Sequence, residues 1–217
     1  MRQVVSEGLG TALLLAVVVG SGIMGERLAS GNVAVALLAN SLATAGGLYM
    51  LITILGPVSG AHFNPVVTLT SWLAGNMSQG RALAYLGSQV LGAVLGVWAA
   101  HAMFDLPIMQ ASQHVRSGVA QWWAEGVATF GLILTIFGGV RHAPQRVPAL
   151  VACYILAAYW FTASTSFANP AVTLARSLTD TFSGIRPLDV GGFAVAQLAG
   201  GLAGYGVSRW LFGPEQA

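Results

Sequence analysis

Ser59-Gly60-Ala61-His62-Phe63-Asn64-Pro65-Val66-Val67-Thr68-Leu69 is the stretch whose reading decides the fold. It sets Asn and then Pro in front of a short apolar run. Asn caps a first helical turn, and Pro at the first helical position gives up an N–H that the helix does not use. The same signal returns as Asn169-Pro170-Ala171-Val172-Thr173-Leu174. The runs that follow, about 65–74 and 170–178, are too short to cross a bilayer. At ~1.5 Å per residue, about nine residues reach half way. Two such pieces meeting end to end make one span.

Around these half-spans lie six stretches of spanning length, about 3–23, 33–55, 81–104, 120–140, 147–166 and 189–212. Hydrophobic types make up 55% of the 217 residues and charged types only 7%, against about 25% in soluble domains. Mean hydropathy is +0.72. The predicted class is an all-α membrane protein, multi-pass, with six transmembrane helices and two re-entrant half-helices. The first apolar run follows a single Arg2 and carries Glu7, so it reads as a retained span rather than a signal peptide. A net charge of +2 gives no reason to expect nucleic acid. With one cysteine, Cys153, and no His pair at ligand spacing, neither a disulfide framework nor a metal site is expected, and no cofactor is implied.

The sequence repeats itself in order. Glu7-Gly8-Leu9-Gly10-Thr11 matches Glu125-Gly126-Val127-Ala128-Thr129, and the Asn-Pro segments match each other. Gln89-Val90-Leu91-Gly92 with Gly96 matches Gln197-Leu198-Ala199-Gly200 with Gly204. The halves, about 1–110 and 118–217, form one channel domain. Each holds three spans, an odd number, so the second enters the membrane from the opposite side. Broken helices meeting near the midplane of inverted repeats are where membrane proteins place solute sites. Each half-helix aims its positive dipole end at that point, which opposes cations. The Asn64 and Asn169 amides offer donors to a neutral solute.

These residues resemble the aquaporin, or major intrinsic protein, channels. The segment from Ser59 to Leu69 looks like that family's first signature, and Asn169-Pro170-Ala171 like its second. The resemblance implies cytoplasmic termini and a homotetramer with one pore per subunit; the arginines vote for that orientation only five to four. It implies that Glu7 and Glu125 are buried acceptors holding the re-entrant loops, and that His62 lines the inner mouth. It also implies an outer selectivity filter, which gap-free counting places on Thr44, Ala157, Ser166 and Val172. The family usually has Arg where Val172 stands, so this filter reads as wide and uncharged. Arg176 lies one helical turn further on. Val66 replaces the usual Ala and is expected to add bulk near the midplane, moving the narrowest point inward. The arginine-free filter, with Leu178-Thr179-Asp180-Thr181-Phe182-Ser183-Gly184, resembles a branch found with bacterial arsenic-resistance genes. That branch is associated with neutral metalloids and organic arsenicals. The expected function is a passive channel for small neutral solutes (water, glycerol-like polyols, metalloids) in the cell, or inner, membrane if the source is bacterial.

Two rivals stand beside it. An ion-coupled secondary transporter also uses inverted repeats and broken helices, and would make Glu7 and Glu125 proton relays. An intramembrane hydrolase would pair Ser59 with His62. Gly92, Gly96, Gly200 and Gly204 read as close-packing positions. Trp122, Trp123 and Trp210 read as interfacial anchors.

Overall fold

The computed structural model describes residues 1–213. Eight α-helices follow one another: α1 Arg2–Leu28, α2 Val33–Ser59, α3 Pro65–Leu73, α4 Gln79–Met103, α5 Val119–His142, α6 Val147–Phe161, α7 Pro170–Arg176 and α8 Val190–Phe212. Among the described residues, five helices are long and apolar enough to cross a membrane: α1, α2, α4, α5 and α8. The sixth expected span differs. α6 has only 15 residues and stops at Phe161, with Thr162 extended. A short 3-10 turn, Pro144–Arg146, precedes it. Together they cover roughly 28 Å, close to the hydrocarbon thickness. The half-helices are also short, nine residues in α3 and seven in α7.

Local chemistry starts and stops these elements. The Asn32 side chain accepts from Ala34 N–H and Val35 N–H at the head of α2. Gly60, at φ 87°, ends it in a left-handed turn that only glycine adopts freely. Asn64 accepts from Val66 N–H at 2.9 Å, and Asn169 from Ala171 N–H at 3.0 Å and Val172 N–H at 3.3 Å.

Packing follows the repeat. α1 lies on α4, and α5 on α8. A Cβ at Gly92 would stand 2.1 Å from the Gly8 carbonyl oxygen, and one at Gly200 2.1 Å from the Gly126 carbonyl oxygen. Gly96 and Gly204 make the same approach to the Ala12 and Phe130 carbonyls one turn on. Without a hydrophobic drive between helices in lipid, such backbone contact is a main source of cohesion. The half-helices interlock the two repeats, since α7 packs against α4 and α3 against α8. Large apolar side chains such as Leu9, Leu83, Leu91, Val195 and Trp210 face outward, while Glu7, Gln89, Glu125 and Gln197 are fully buried. The molecule is thus apolar outside and polar within, as a lipid solvent demands.

Candidate functional site: a pore between two half-helices

The two re-entrant loops are held in unusual backbone shapes. Ala61 and Phe63 in the first, and Ser166 and Ala168 in the second, have φ between 47° and 51°. Left-handed non-glycine residues cost about 1–3 kcal/mol each, so something must hold them. Two carboxylates do. Glu7 Oε1 accepts from His62 N–H (3.0 Å) and Ser59 Oγ–H (2.7 Å), and Oε2 from Phe63 N–H (2.7 Å) and Gln89 Nε2 (2.9 Å). Glu125 accepts from Phe167 N–H and Ala168 N–H, both at 2.8 Å, and from Gln197 Nε2 at 2.6 Å. Gln89 and Gln197 then donate to Thr68 and Thr173 on the half-helices.

The N-termini of α3 and α7 meet head to head. Asn64 Nδ2 donates to the Ala168 carbonyl at 2.7 Å, and Asn169 Nδ2 to the Phe63 carbonyl at 2.8 Å. Each asparagine therefore caps its own half-helix with its oxygen and grips the opposite loop with its nitrogen. Pro65 and Pro170 sit at the first helical positions. Both asparagines line a cavity of about 300 Å³, together with His62, Thr44, Ser166 and Val172.

Three sequence expectations need correction. Ala157 does not line this cavity; its side chain is exposed on the outer face of α6. The lining residues of α6 are Val147, Val151, Ile155 and Tyr159, a regular i, i+4 stripe. Ala157 is two residues from both Ile155 and Tyr159, about 200° round the helix. The gap-free count failed across the loop between Phe161 and Asn169. Val66 is also away from the lumen: it is fully buried against Ile133 and Tyr205, and a Cβ at Gly201 of α8 would stand 2.1 Å from its Cγ1. Its bulk fills space opened by a glycine and does not narrow the pore. Ala171 is likewise buried and absent from the cavity wall. Third, the cavity wall carries a charge after all, because Arg176 lines it and is only 2% exposed.

The α7-side mouth holds what sequence reasoning left unassigned. Tyr159 OH and Thr44 Oγ1 lie 3.3 Å apart. The Arg176 guanidinium lies over the Phe167 ring, 3.4 Å from its centroid, and Arg176 Nε donates to the Ser183 carbonyl. Arg116, from the loop after α4, stands over the same ring at 5.1 Å. Burial pulls the Arg116 guanidinium below its ordinary value, with Glu125 and Tyr159 acting the other way; a guanidinium stays cationic regardless. The i, i+4 stripe on α6 was the signal available for Tyr159. For Arg176 it was the one-turn spacing from Val172. On the α3 side, His62 Nδ1 lies 3.1 Å from Thr68 Oγ1, and its ring meets Tyr85 edge-on. Ser59 bonds Glu7 instead, so the nucleophile–base pair that a hydrolase requires is not formed. Among the described residues, no three His, Cys, Asp or Glu side chains gather where they could hold a metal ion.

Comparison with known proteins agrees with this geometry. An aquaglyceroporin, AqpS, of Rhizobium meliloti (strain 1021) is 55% identical over 99% of this chain and 92% of its own length. A probable aquaporin, PIP2-8, of Oryza sativa subsp. japonica is 28% identical over 91% of this chain and 79% of its own. The X-ray structure of the aquaglyceroporin from Plasmodium falciparum superposes with a TM-score of 0.73 over 96% of this chain and 94% of that one, at 19% identity, which speaks for the fold. Residues 1–161 match the family described as major intrinsic protein, and with that match and the full-length relative the chain, a multi-pass integral membrane protein, belongs to the major intrinsic protein family.

Proposed function

We propose that the chain is a passive channel of the cell membrane for small neutral solutes bulkier than water. Its permeants are glycerol-like polyols, neutral metalloids and organic arsenicals, with water passing alongside. The observation that carries the reading is the lining at the α7-side mouth. Val172 occupies the wall one turn inside Arg176, beside Ser166 and Thr44, none of them large. A solute with a carbon or metalloid skeleton meets Val172 and Ile155, while its hydroxyls meet Thr44, Tyr159 and Ser166. Thr44, Ser166 and Val172 are the selectivity residues in this reading, and Tyr159, not Ala157, stands with them on the wall. Asn64 and Asn169 orient solute oxygens at the midplane, and His62 lines the inner mouth. The name of the bacterial relative, an aquaglyceroporin, supports polyol transport.

Glu7 and Glu125 act structurally. Each carboxylate is surrounded by donors from the loop it holds, which leaves no role as a coupling-ion relay. The chain divides into halves of about 1–110 and 118–217, and it assembles as a homotetramer with one pore per subunit. The family resemblance supports the tetramer, and the apolar outer faces suit both lipid and neighbouring subunits.

The test is stopped-flow light scattering on proteoliposomes with water, glycerol and a small neutral arsenical. Flux linear in solute concentration and indifferent to ion gradients is expected. Saturable, gradient-coupled uptake would favour a transporter, and a permeant set limited to water would refute the solute assignment.

A further inference from the structure

Five observations meet at Arg176. It is buried in the wall of the cavity, one turn beyond Val172. Its guanidinium is held in place, 3.4 Å over the centroid of the Phe167 ring and tied through Nε to the Ser183 carbonyl. Among the described residues no carboxylate pairs with it, the ion pair found there being that of Arg186 with Asp189. Among the described residues its only side-chain hydrogen bond is the one from Nε, so neither Nη has a partner there, and Ser166 Oγ, on the same cavity wall, is buried and unpartnered. A second cation, Arg116, overlies the same ring, held by the Gly184 carbonyl at 2.8 Å and through its backbone N–H by Asp189 at 2.9 Å. A buried cation normally gathers a carboxylate. Here a ring face and one carbonyl hold the cation while its donors remain free.

We propose that Arg176 is the cation barrier and the oxygen-binding group of the α7-side mouth, displaced one helical turn from Val172. The displacement separates two properties. Width is set at Val172, where no guanidinium intrudes. Charge is set at Arg176, whose field in a poorly screened lumen opposes hydronium and other monovalent cations. Its Nη donors and Ser166 Oγ receive the acceptor oxygens of a passing solute, polyol hydroxyl or oxo group alike. The rigid fork of a guanidinium suits that task better than a mobile ammonium. Phe167 is the positioning residue, because its ring face holds the guanidinium against the wall.

The inference rests on the channel reading, so both are measured in the same vesicles. Wild type, Arg176→Gln, Arg176→Lys and the double variant Val172→Arg/Arg176→Gln are reconstituted. Water and glycerol flux are followed by light scattering, proton leak by an entrapped pH dye, and methylammonium entry by swelling. Wild-type vesicles that pass neither water nor glycerol would refute the channel reading itself. The expected result is wild-type proton and methylammonium leak at the level of protein-free vesicles. Arg176→Gln is expected to raise both about tenfold, and the double variant to bring them back down. A water-conducting Arg176→Gln that stays tight to both cations overturns the proposal, as does a leak that the arginine at 172 leaves unchanged. If Arg176→Gln yields no water flux, Arg176→Lys decides: cation exclusion kept with glycerol flux lowered severalfold supports the proposal, and wild-type behaviour on both counts overturns it.

Discussion

The loop leading into α3 and the loop leading into α7 have the same backbone and different linings. In each, two left-handed residues flank one ordinary one, and a glutamate from the first helix of that half holds the pair of N–H groups. In each, an asparagine caps its half-helix and grips the opposite carbonyl. Behind the pore, the halves exchange volume between facing positions. Phe63 stands where Gly10 leaves room, a Cβ there lying 2.0 Å from its ring, while the matching positions hold Ala168 and Ala128. Val66 fits against Gly201, while the matching positions hold Ala171 and Ala93, on helices that also pack together. Toward the lumen there is no such compensation. His62 faces one mouth and Phe167 the other, and only Phe167 carries arginines. Duplicated structure therefore fixes the scaffold, and in the proposed function the unmatched lumen residues carry selectivity.

The comparison can be broken first at the helix crossings. Gly92→Leu and Gly200→Leu each drive a side chain into a backbone carbonyl, which cannot step aside, and should cost at least about 3 kcal/mol. Both should abolish assembled protein in detergent, to the same extent; tolerance of one alone would show that the halves are not mechanically equivalent. Next, Glu7→Gln and Glu125→Gln each replace an acceptor oxygen with a donor facing donors. Each should cost about 2 kcal/mol and cut folded yield in fluorescence-detected gel filtration, leaving the glycerol-to-water ratio of surviving protein unchanged. A changed ratio with normal yield would make the acids part of the conduction path.

Exchanging the unmatched lining residues sharpens the contrast. Phe167→His should raise proton leak severalfold by freeing Arg176, whereas His62→Phe should leave leak and pH dependence between pH 5.5 and 8 as in wild type. Equal effects would place selectivity in both mouths. The smallest expected effect lies behind the pore. Gly201→Ala should cost about 1–2 kcal/mol by meeting Val66, and Val66→Ala added to it should restore thermal stability, the two changes being coupled through one contact. Glycerol flux should follow folded yield throughout, because neither residue touches the lumen.

Much of this was legible in the sequence because it is local or repeated. The Asn-Pro starts, the buried glutamates and the small-residue crossings each have a fixed spacing and a physical need. The two half-helices form where that reading puts them, and Asn64, Asn169, Thr44, Ser166 and Val172 line the cavity between them. What failed depended on rotation about a helix axis. Ala157 and Tyr159 are two residues apart and face opposite ways, and counting back through an irregular loop could not choose between them. Val66 points at Gly201 because the α3–α8 packing turns it there, a relation between distant residues that no motif records. Arg176 was visible one turn from Val172, but its contact with Phe167 depends on how the loop closes.

The most direct measurement is the ratio of glycerol to water permeability in proteoliposomes of wild type and Val172→Arg. If the α7-side mouth sets selectivity, wild type passes glycerol readily and Val172→Arg lowers the ratio by about an order of magnitude while keeping most of its water flux. An unchanged ratio would place the bottleneck elsewhere in the lumen and contradict the division between a duplicated scaffold and a selective α7-side mouth.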